Sequence, residues 1–351
     1  MSHRKLTLAL AALTSAATLA SCSSASSGAS AQNSAGSGAA PITVKIAGSN
    51  LTNQTYIPLV LAQQLGFFKQ QGLNVELTSA KSGSQAFQAL LSKQAQAAVG
   101  FYDHNIDLAA KGTKTESVIQ LLQAPGMVEM VRSDEAGTIK SPADLSGKNV
   151  GITGLGSSTQ FIADYLAQHN GVAVSSIHPV NVSAGPTFVA AMQNSQIDAG
   201  VTTEPTISAL LSKRAAQIIV DMRSVTGTQA ALGGPYPGSA VTVNTAWADA
   251  NKPTVQKMVN ALVASLHWIQ QHSAAQIADA MPASYYKSTG KAAYVQALAN
   301  EIGIYSPTGL MPTDGPQSVF RVLSAFDPAV KGKQVDLSKT YTDEFVQNAS
   351  S

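Results

Sequence analysis

The chain has 351 residues, of which 12% are charged, and a formal net charge of only +2 at pH 7. With no polybasic block it lacks the electrostatic footprint of a nucleic-acid binder. Its single cysteine excludes an internal disulfide framework.

Residues 1–21 read as an export signal: His3, Arg4 and Lys5 form a basic start, and an apolar, small-residue core follows. That core is too short for a membrane span, and no later apolar run is long enough for one. The segment ends in Leu19-Ala20-Ser21-Cys22, which resembles the lipobox of bacterial lipoproteins. The resemblance implies cleavage before Cys22 and lipid attachment to it, so the chain is expected to be exported and held at the outer face of the cell membrane. Residues 23–40 are nearly all Ser, Ala and Gly. Such a segment buries too little apolar surface to fold and reads as a flexible tether. About 300 residues then remain, enough for two lobes of ordinary domain size.

From residue 42 the pattern alternates between strand and helix. Residues 42–47 are β-branched and alternating, so they predict a first strand, running into a polar loop with Ser49, Asn50, Asn53 and Gln54. A helix follows over 56–64, with Gly66 placed to stop it. Further strands are predicted over 74–79, 97–100, 117–123 and 128–132, with a helix over 85–93. The alternation argues for an α/β layer fold with a mostly parallel sheet, whose ligands bind beyond the carboxyl ends of the strands. Residues 133–137 read as a crossing to a second lobe and 232–238, dense in turn residues, as the crossing back. The organisation expected is lobe one over 41–134, lobe two over 135–235, and lobe one again over 236–351. The last part holds a return strand over 239–244 and helices, one of which carries an apolar stripe of Val255, Met258, Val259, Leu262, Leu266 and Ile269. A shift of 101 positions aligns Phe87 with Phe188, Ala98 with Ala199 and Asp103 with Glu204, which is consistent with two similar lobes or with chance among alanine-rich helices.

The segment 147–166, GKNVGITGLGSSTQFIADYL, reads as strand, glycine-rich turn and helix, with Gly156, Ser157, Ser158 and Thr159 at the helix start. The first N–H groups of a helix have no intrahelical acceptor, and the helix dipole favours an anion there. Ser82 and Ser84 open a second helix of the same kind. Either end can equally be plain capping.

Several stretches then resemble one family. Leu65-Gly66-Phe67-Phe68 with Gly72-Leu73-Asn74-Val75-Glu76, the run 140–151 (KSPADLSGKNVG), and Gln196-Ile197-Asp198-Ala199 with Glu204-Pro205 are similar to segments of ABC-importer solute-binding proteins. The branch is the nitrate, sulfonate and taurine type, which includes carriers of a thiamine pyrimidine precursor. The resemblance implies a two-lobed, type II periplasmic-binding-protein fold: each lobe a mixed sheet flanked by helices, with two crossings. It implies no catalysis and no cofactor or metal. The partners implied are a small solute and a permease with its ATPase subunits, for a monomer. Pocket loops carried over from the family would contribute Tyr102, Asp103 and His104, Pro125 and Gly126, Ser183 and Thr187, and Thr203 and Glu204, besides the loop residues named above.

No arginine falls in these loops, whereas Asp103 and Glu204 do. Turned inward, the two acids would favour an amine or a ring N–H, hence a taurine-like zwitterion or a nitrogen heterocycle. Alternatively Glu204 turns outward and Asp103 caps a helix. Enzyme readings each lack a requirement. Thr153-Gly154-Leu155-Gly156 has the wrong order for a dinucleotide loop, and Ser284-Tyr285-Tyr286-Lys287 has no accompanying S-D-N. Fungal pyrimidine-forming enzymes of this fold carry a cysteine-rich segment, and this chain has only Cys22. A ligand-sensing lipoprotein remains the third class.

Overall fold

The computed structural model describes residues 40–287 and 289–349. The signal, Cys22 and the tether lie outside these residues.

Two five-stranded mixed sheets form the frame, with strand orders β2-β1-β3-β10-β4 and β7-β6-β8-β5-β9. The first sheet starts with β1 (Ile42–Ser49), followed by helices α1 (Ile57–Gln64) and α2 (Phe67–Gln70). Gly66 ends α1 in the left-handed region at φ 76°, as its position predicts. Then come β2 (Leu73–Ala80), α3 (Gly83–Leu91), β3 (Ala97–Phe101), α4 (Asp103–Ala110) and β4 (Thr115–Gln120). The second sheet holds β5 (Met127–Arg132), β6 (Asn149–Ile152), β7 (His178–Asn181), β8 (Ala199–Thr203) and β9 (Ala216–Met222). Its helices are α5 (Ser158–His169), α6 (Pro186–Gln193), α7 (Thr206–Ser212) and α8 (Val225–Leu232). The chain returns through β10 (Ser239–Asn244) and ends in helices, among them α9 (Thr245–Ala250), α10 (Lys252–Gln270), α11 (Ala274–Ala280), α12 (Lys291–Glu301) and α13 (Gly315–Phe326).

One expectation is corrected here. The strand at Met127–Arg132 pairs with β8 and β9, so it belongs to the second sheet. The chain therefore crosses between sheets at residues 121–126, through Pro125 and Gly126, and not at 133–137. The return crossing does fall between α8 and β10, at residues 233–238. The first crossing leads from the end of β4 into β5 and the second from α8 into β10, each strand entering its sheet on the cleft side. A strand entering from there must run against its neighbours, which is why β5 is antiparallel to β8 and β10 antiparallel to β3 and β4.

The predicted stripe of α10 is buried throughout. The internal echo also has a structural counterpart. Phe87 of α3 packs on Gly100 of β3, where a Cβ would lie 2.6 Å from its ring. Phe188 of α6 packs on Gly200 of β8, where a Cβ would lie 2.7 Å away. In each sheet a phenylalanine of the crossover helix needs a side-chain-free strand position beneath it.

Candidate functional site

The carboxyl ends of β1, β3, β6 and β8 converge on one small cavity lined mainly by uncharged polar residues. Its lining includes Ser49, Asn53, Thr55, Tyr56 and Gly83 from the first lobe, Phe101 at the end of β3, and Met127, Thr153, Ser157, Ser158, Thr159 and Thr203 from the second. None of these side chains carries a charge. The space is about 20 Å³, room for one water-sized group.

The helix start of α5 is built as the glycine-serine pattern predicts, with one difference. Ser157 sits at the N-cap, yet its side chain makes no capping bond to the helix. Its hydroxyl donates instead to the Gly154 carbonyl at 2.6 Å and lies 3.0 Å from Thr153 Oγ1 and 2.9 Å from Thr159 Oγ1. The Ser157 carbonyl accepts from Gln160 N at 2.8 Å, whereas the N–H groups of Ser158 and Thr159, the first two of the helix, are not taken by the cap residue. Across the cleft, Ser82 caps α3 in the ordinary way, accepting from Gln85 N at 3.3 Å. The two helix starts do face one another: a Cβ on Gly154 would lie 2.6 Å from Ser82 Cβ.

Asp103 holds the cavity's rim. It is fully buried in the first turn of α4. Its carboxylate accepts from Ser158 Oγ at 2.7 Å and from Tyr236 Oη, on the return crossing, at 2.8 Å. Burial pushes the carboxyl up to about 6 despite these donors. The neighbouring His104 is buried and held neutral, its pKa pushed down to about 3 by burial and by Lys111. Burial raises the Tyr56 phenol as well, so that side chain stays protonated. The lobes touch again at the edge, where Ser183 Oγ donates to the Lys81 carbonyl at 3.0 Å and Asn50 Nδ2 to Ser183 Oγ at 3.3 Å.

Of the residues singled out from the sequence, Ser49, Asn53, Ser157, Ser158, Thr159 and Thr203 line the cavity. Ser82 and Asp103 stand in the wall behind that lining, against Gly154 and Ser158, and Asn50 and Ser183 bond to each other outside it. Ser84, His104 and Gly156 face a separate, larger groove on the other side of that wall. The rest point elsewhere. Tyr102 is core, its hydroxyl bonded to Thr340, and Phe101 takes the cavity position because side chains alternate at a strand end. Gln54 donates to the Tyr294 carbonyl at 3.0 Å, toward the C-terminal helices. Pro125 and Gly126 belong to the crossing, with Gly126 packed on Ile304. Thr187 bonds the Ala184 carbonyl at 3.2 Å. Glu204 is buried, but its carboxylate accepts from Ser208 N and Oγ, both at 2.9 Å, and lies 3.5 Å from Arg223. Thr55, Tyr56 and Tyr236 escaped the sequence reading. The first two lie one turn past the polar loop, and Tyr236 sits in a segment read as turn chemistry alone. Among the described residues no group of three or more His, Cys, Asp or Glu side chains could hold a metal ion, and no helix is long and apolar enough to cross a membrane.

The fold has relatives. A protein of Bordetella bronchiseptica RB50 superposes with a TM-score of 0.83 at 34% identity, covering 87% of this chain and 96% of that one. The alkanesulfonate-binding protein SsuA of Xanthomonas axonopodis pv. citri, bound to MOPS, has the same fold, with a TM-score of 0.67 at 19% identity over 87% of this chain and 99% of that one. In sequence the chain is 26% identical to a 4-amino-5-hydroxymethyl-2-methylpyrimidine phosphate synthase of Saccharomyces cerevisiae, over 42% of either protein. The chain spans less than two thirds of the length of the curated relatives it matches. Residues 53–275, spanning β5, β6, β8 and the start of α5 that build the cavity, match the family described as NMT1/THI5 like, and the chain belongs to that family.

Proposed function

We propose that the chain is the solute-binding component of an ABC importer. It captures a small organic anion or zwitterion, of the sulfonate or taurine kind, between its lobes and delivers it to a membrane permease. One observation carries this reading: an uncharged, hydroxyl-lined cavity at the strand ends of two separate sheets, against the start of α5. Free N–H groups and hydroxyls bind a partial or full negative charge without a cation. The crossings at 121–126 and 233–238 are the two connections about which such lobes part and close. The MOPS-bound sulfonate receptor, alike in fold, supports the same class of ligand.

A nitrogen heterocycle is the second reading. Asp103 stands directly behind Ser158 and would accept from a ring N–H or exocyclic amine that displaced the serine hydroxyl. The yeast relative, named for a pyrimidine product, points the same way. We read the chain as a receptor and not as a synthase, since its only cysteine is Cys22 and the cavity holds no paired acid and base. Cys22 anchors the protein through lipid, so Cys22→Ser should move it from the membrane fraction to the soluble one.

The test is a thermal-shift panel of nitrate, alkanesulfonates, taurine and aminopyrimidines. A ligand at a hundred times its Kd stabilises the native state by about 2.7 kcal/mol. A shift with a sulfonate or taurine supports the first reading and a shift with an aminopyrimidine alone the second. Turnover of an aminopyrimidine or its precursor would overturn both. Co-purification with a signalling protein instead of a permease would make the chain a sensor.

A further inference from the structure

A groove of about 530 Å³ lies beside the polar cavity, within the usual range for small-molecule sites. One layer of chain separates the two. Gly83 and Ser157 face the inner space while their neighbours Ser84 and Gly156 face the groove, with His104 in the partition. The groove spans both lobes, with α3, α4 and the end of α13 on one side and α5 on the other.

Its chemistry differs from that of the inner cavity. A continuous row of rings runs from one side to the other: Phe87 lies 4.4 Å from His104, His104 5.7 Å from Phe161, and Phe161 6.2 Å from Phe326, centroid to centroid. The charged groups that line it are Asp107, Asp164, Asp327 and Lys111. Lys111 is committed to Asp107 at 2.7 Å. Asp327 accepts the Ala329 N–H at 2.8 Å. Asp164 is 5% exposed and has no ion-pair partner among the described residues, although it opens into the groove. Two acidic side chains, Asp164 on α5 and Asp327 just after α13, thus stand without a lysine of their own in a half-apolar space. An anion is repelled there, and a neutral apolar group leaves both carboxylates desolvated without compensation.

On the reading of the chain as a solute receptor, we propose that this groove is a second subsite that takes a cationic, partly apolar group, an alkylammonium, whose charge lies between Asp164 and Asp327 and whose carbons lie along the Phe87–Phe161–Phe326 row. The aromatic faces add a favourable quadrupole to the two carboxylates. Because Asp164 lies on α5 and Asp327 follows α13, which packs on both α5 and α4, such a group ties α5 to the C-terminal segment. A solute filling both compartments is then an anion or hydroxyl-binding head with an ammonium tail. Burial pushes the Asp164 carboxyl up to about 7, so a bound cation would also drive off its proton.

The probes are hexylammonium chloride and its neutral counterpart 1-hexanol, titrated calorimetrically into the full-length protein at low salt. The expected result is a Kd at least tenfold lower for the ammonium, with the amide resonances of Ser84, Gly156 and Asp164 shifting on binding. In Asp164→Asn and Asp327→Asn the advantage should fall to about twofold. Equal affinities for amine and alcohol in the wild-type protein would overturn the proposal, and so would binding that leaves those amides unmoved. The wild-type comparison needs no substitution, so a variant that fails to fold cannot mask the answer. A sulfonate or taurine thermal shift without hexylammonium binding removes the groove alone. Hexylammonium binding without a hit in the solute panel leaves the groove standing and removes the sulfonate assignment.

Discussion

Ser158 Oγ donates to Asp103 Oδ1 at 2.7 Å, and this bond joins the first turn of α5 in lobe two to the first turn of α4 in lobe one. The second oxygen of Asp103 is taken by Tyr236 on the return crossing. One buried carboxylate therefore touches both lobes and a hinge segment, at the edge of the cavity where the solute is proposed to sit.

Asp103 makes stability depend on pH in a definite direction. Its carboxyl is raised from 3.8 to about 6, so the folded chain holds that proton more tightly than the unfolded chain. The contribution is present below about pH 4 and is lost as pH rises through 6. The loss is about 3 kcal/mol on the scale of 1.36 kcal/mol per pKa unit. Asp103→Asn has no proton to lose and should be flatter than wild type between pH 4 and 7 by that amount. Urea unfolding of both proteins at several pH values measures it, and parallel curves would mean that Asp103 is solvated in the native state.

Glu129 shows the same physics without any compensation. It lies in the middle of β5, fully buried, and neither carboxylate oxygen has a hydrogen-bond partner. Burial pushes its carboxyl up to about 8. The contribution of its protonated form is present below about pH 4.5 and disappears as pH rises through 8. Glu129→Gln should therefore gain on wild type by on the order of 4 kcal/mol between pH 5 and 9. The isosteric amide keeps the packing, so the gain reads the charge alone. A variant that loses stability across that range would show that Glu129 has a partner in solution.

The start of α5 was legible because its signal is local. Gly154, Gly156, Ser157 and Ser158 combine turn glycines with capping hydroxyls in one run, and the helix begins at Ser158. The crossing at 121–126 was not legible. Pro125 and Gly126 between two apolar strands suit a connection within one sheet as well as a passage between sheets, and only pairing with β8 and β9 decides. Glu204 illustrates a second limit. Its place at a strand end is a local property, but the direction of its carboxylate is set by Ser208 one turn on and by Arg223 beyond β9. The division of the cleft into an uncharged cavity and an acidic groove depends in the same way on Asp327, far along the chain from Asp107 and Asp164.

Arg223 is the cation on which two buried acids depend. It lies 3.5 Å from Glu204. Burial and the charge of Glu204 push the carboxyl of Glu301 far up, and Arg223 opposes that shift. Removing one partner of a buried pair leaves an uncompensated charge, at a cost of about 3–5 kcal/mol. Arg223→Met should lose that much in urea unfolding, and Glu301→Gln made in the same background should recover part of it. Glu204→Gln should leave solute affinity within about twofold, since the carboxylate bonds Ser208 and not the cavity. A larger loss of affinity would return Glu204 to the binding site.

Gly154 separates closure from folding. A Cβ there would lie 2.6 Å from Ser82 Cβ and 2.8 Å from Ser82 Oγ, on the opposite lobe. The serine hydroxyl can rotate away, but its Cβ is fixed by the start of α3. Within lobe two the added methyl meets no atom so near, so Gly154→Ala should leave urea unfolding nearly unchanged while propping the lobes apart. Small-angle scattering should then give a larger radius of gyration than wild type, in the presence and absence of solute. Affinity for any solute that needs both lobes should fall about tenfold or more, the equivalent of 1.4 kcal/mol or more. A variant that binds normally and stays compact would show that the contact between Gly154 and Ser82 yields, and that the cavity closes by another path.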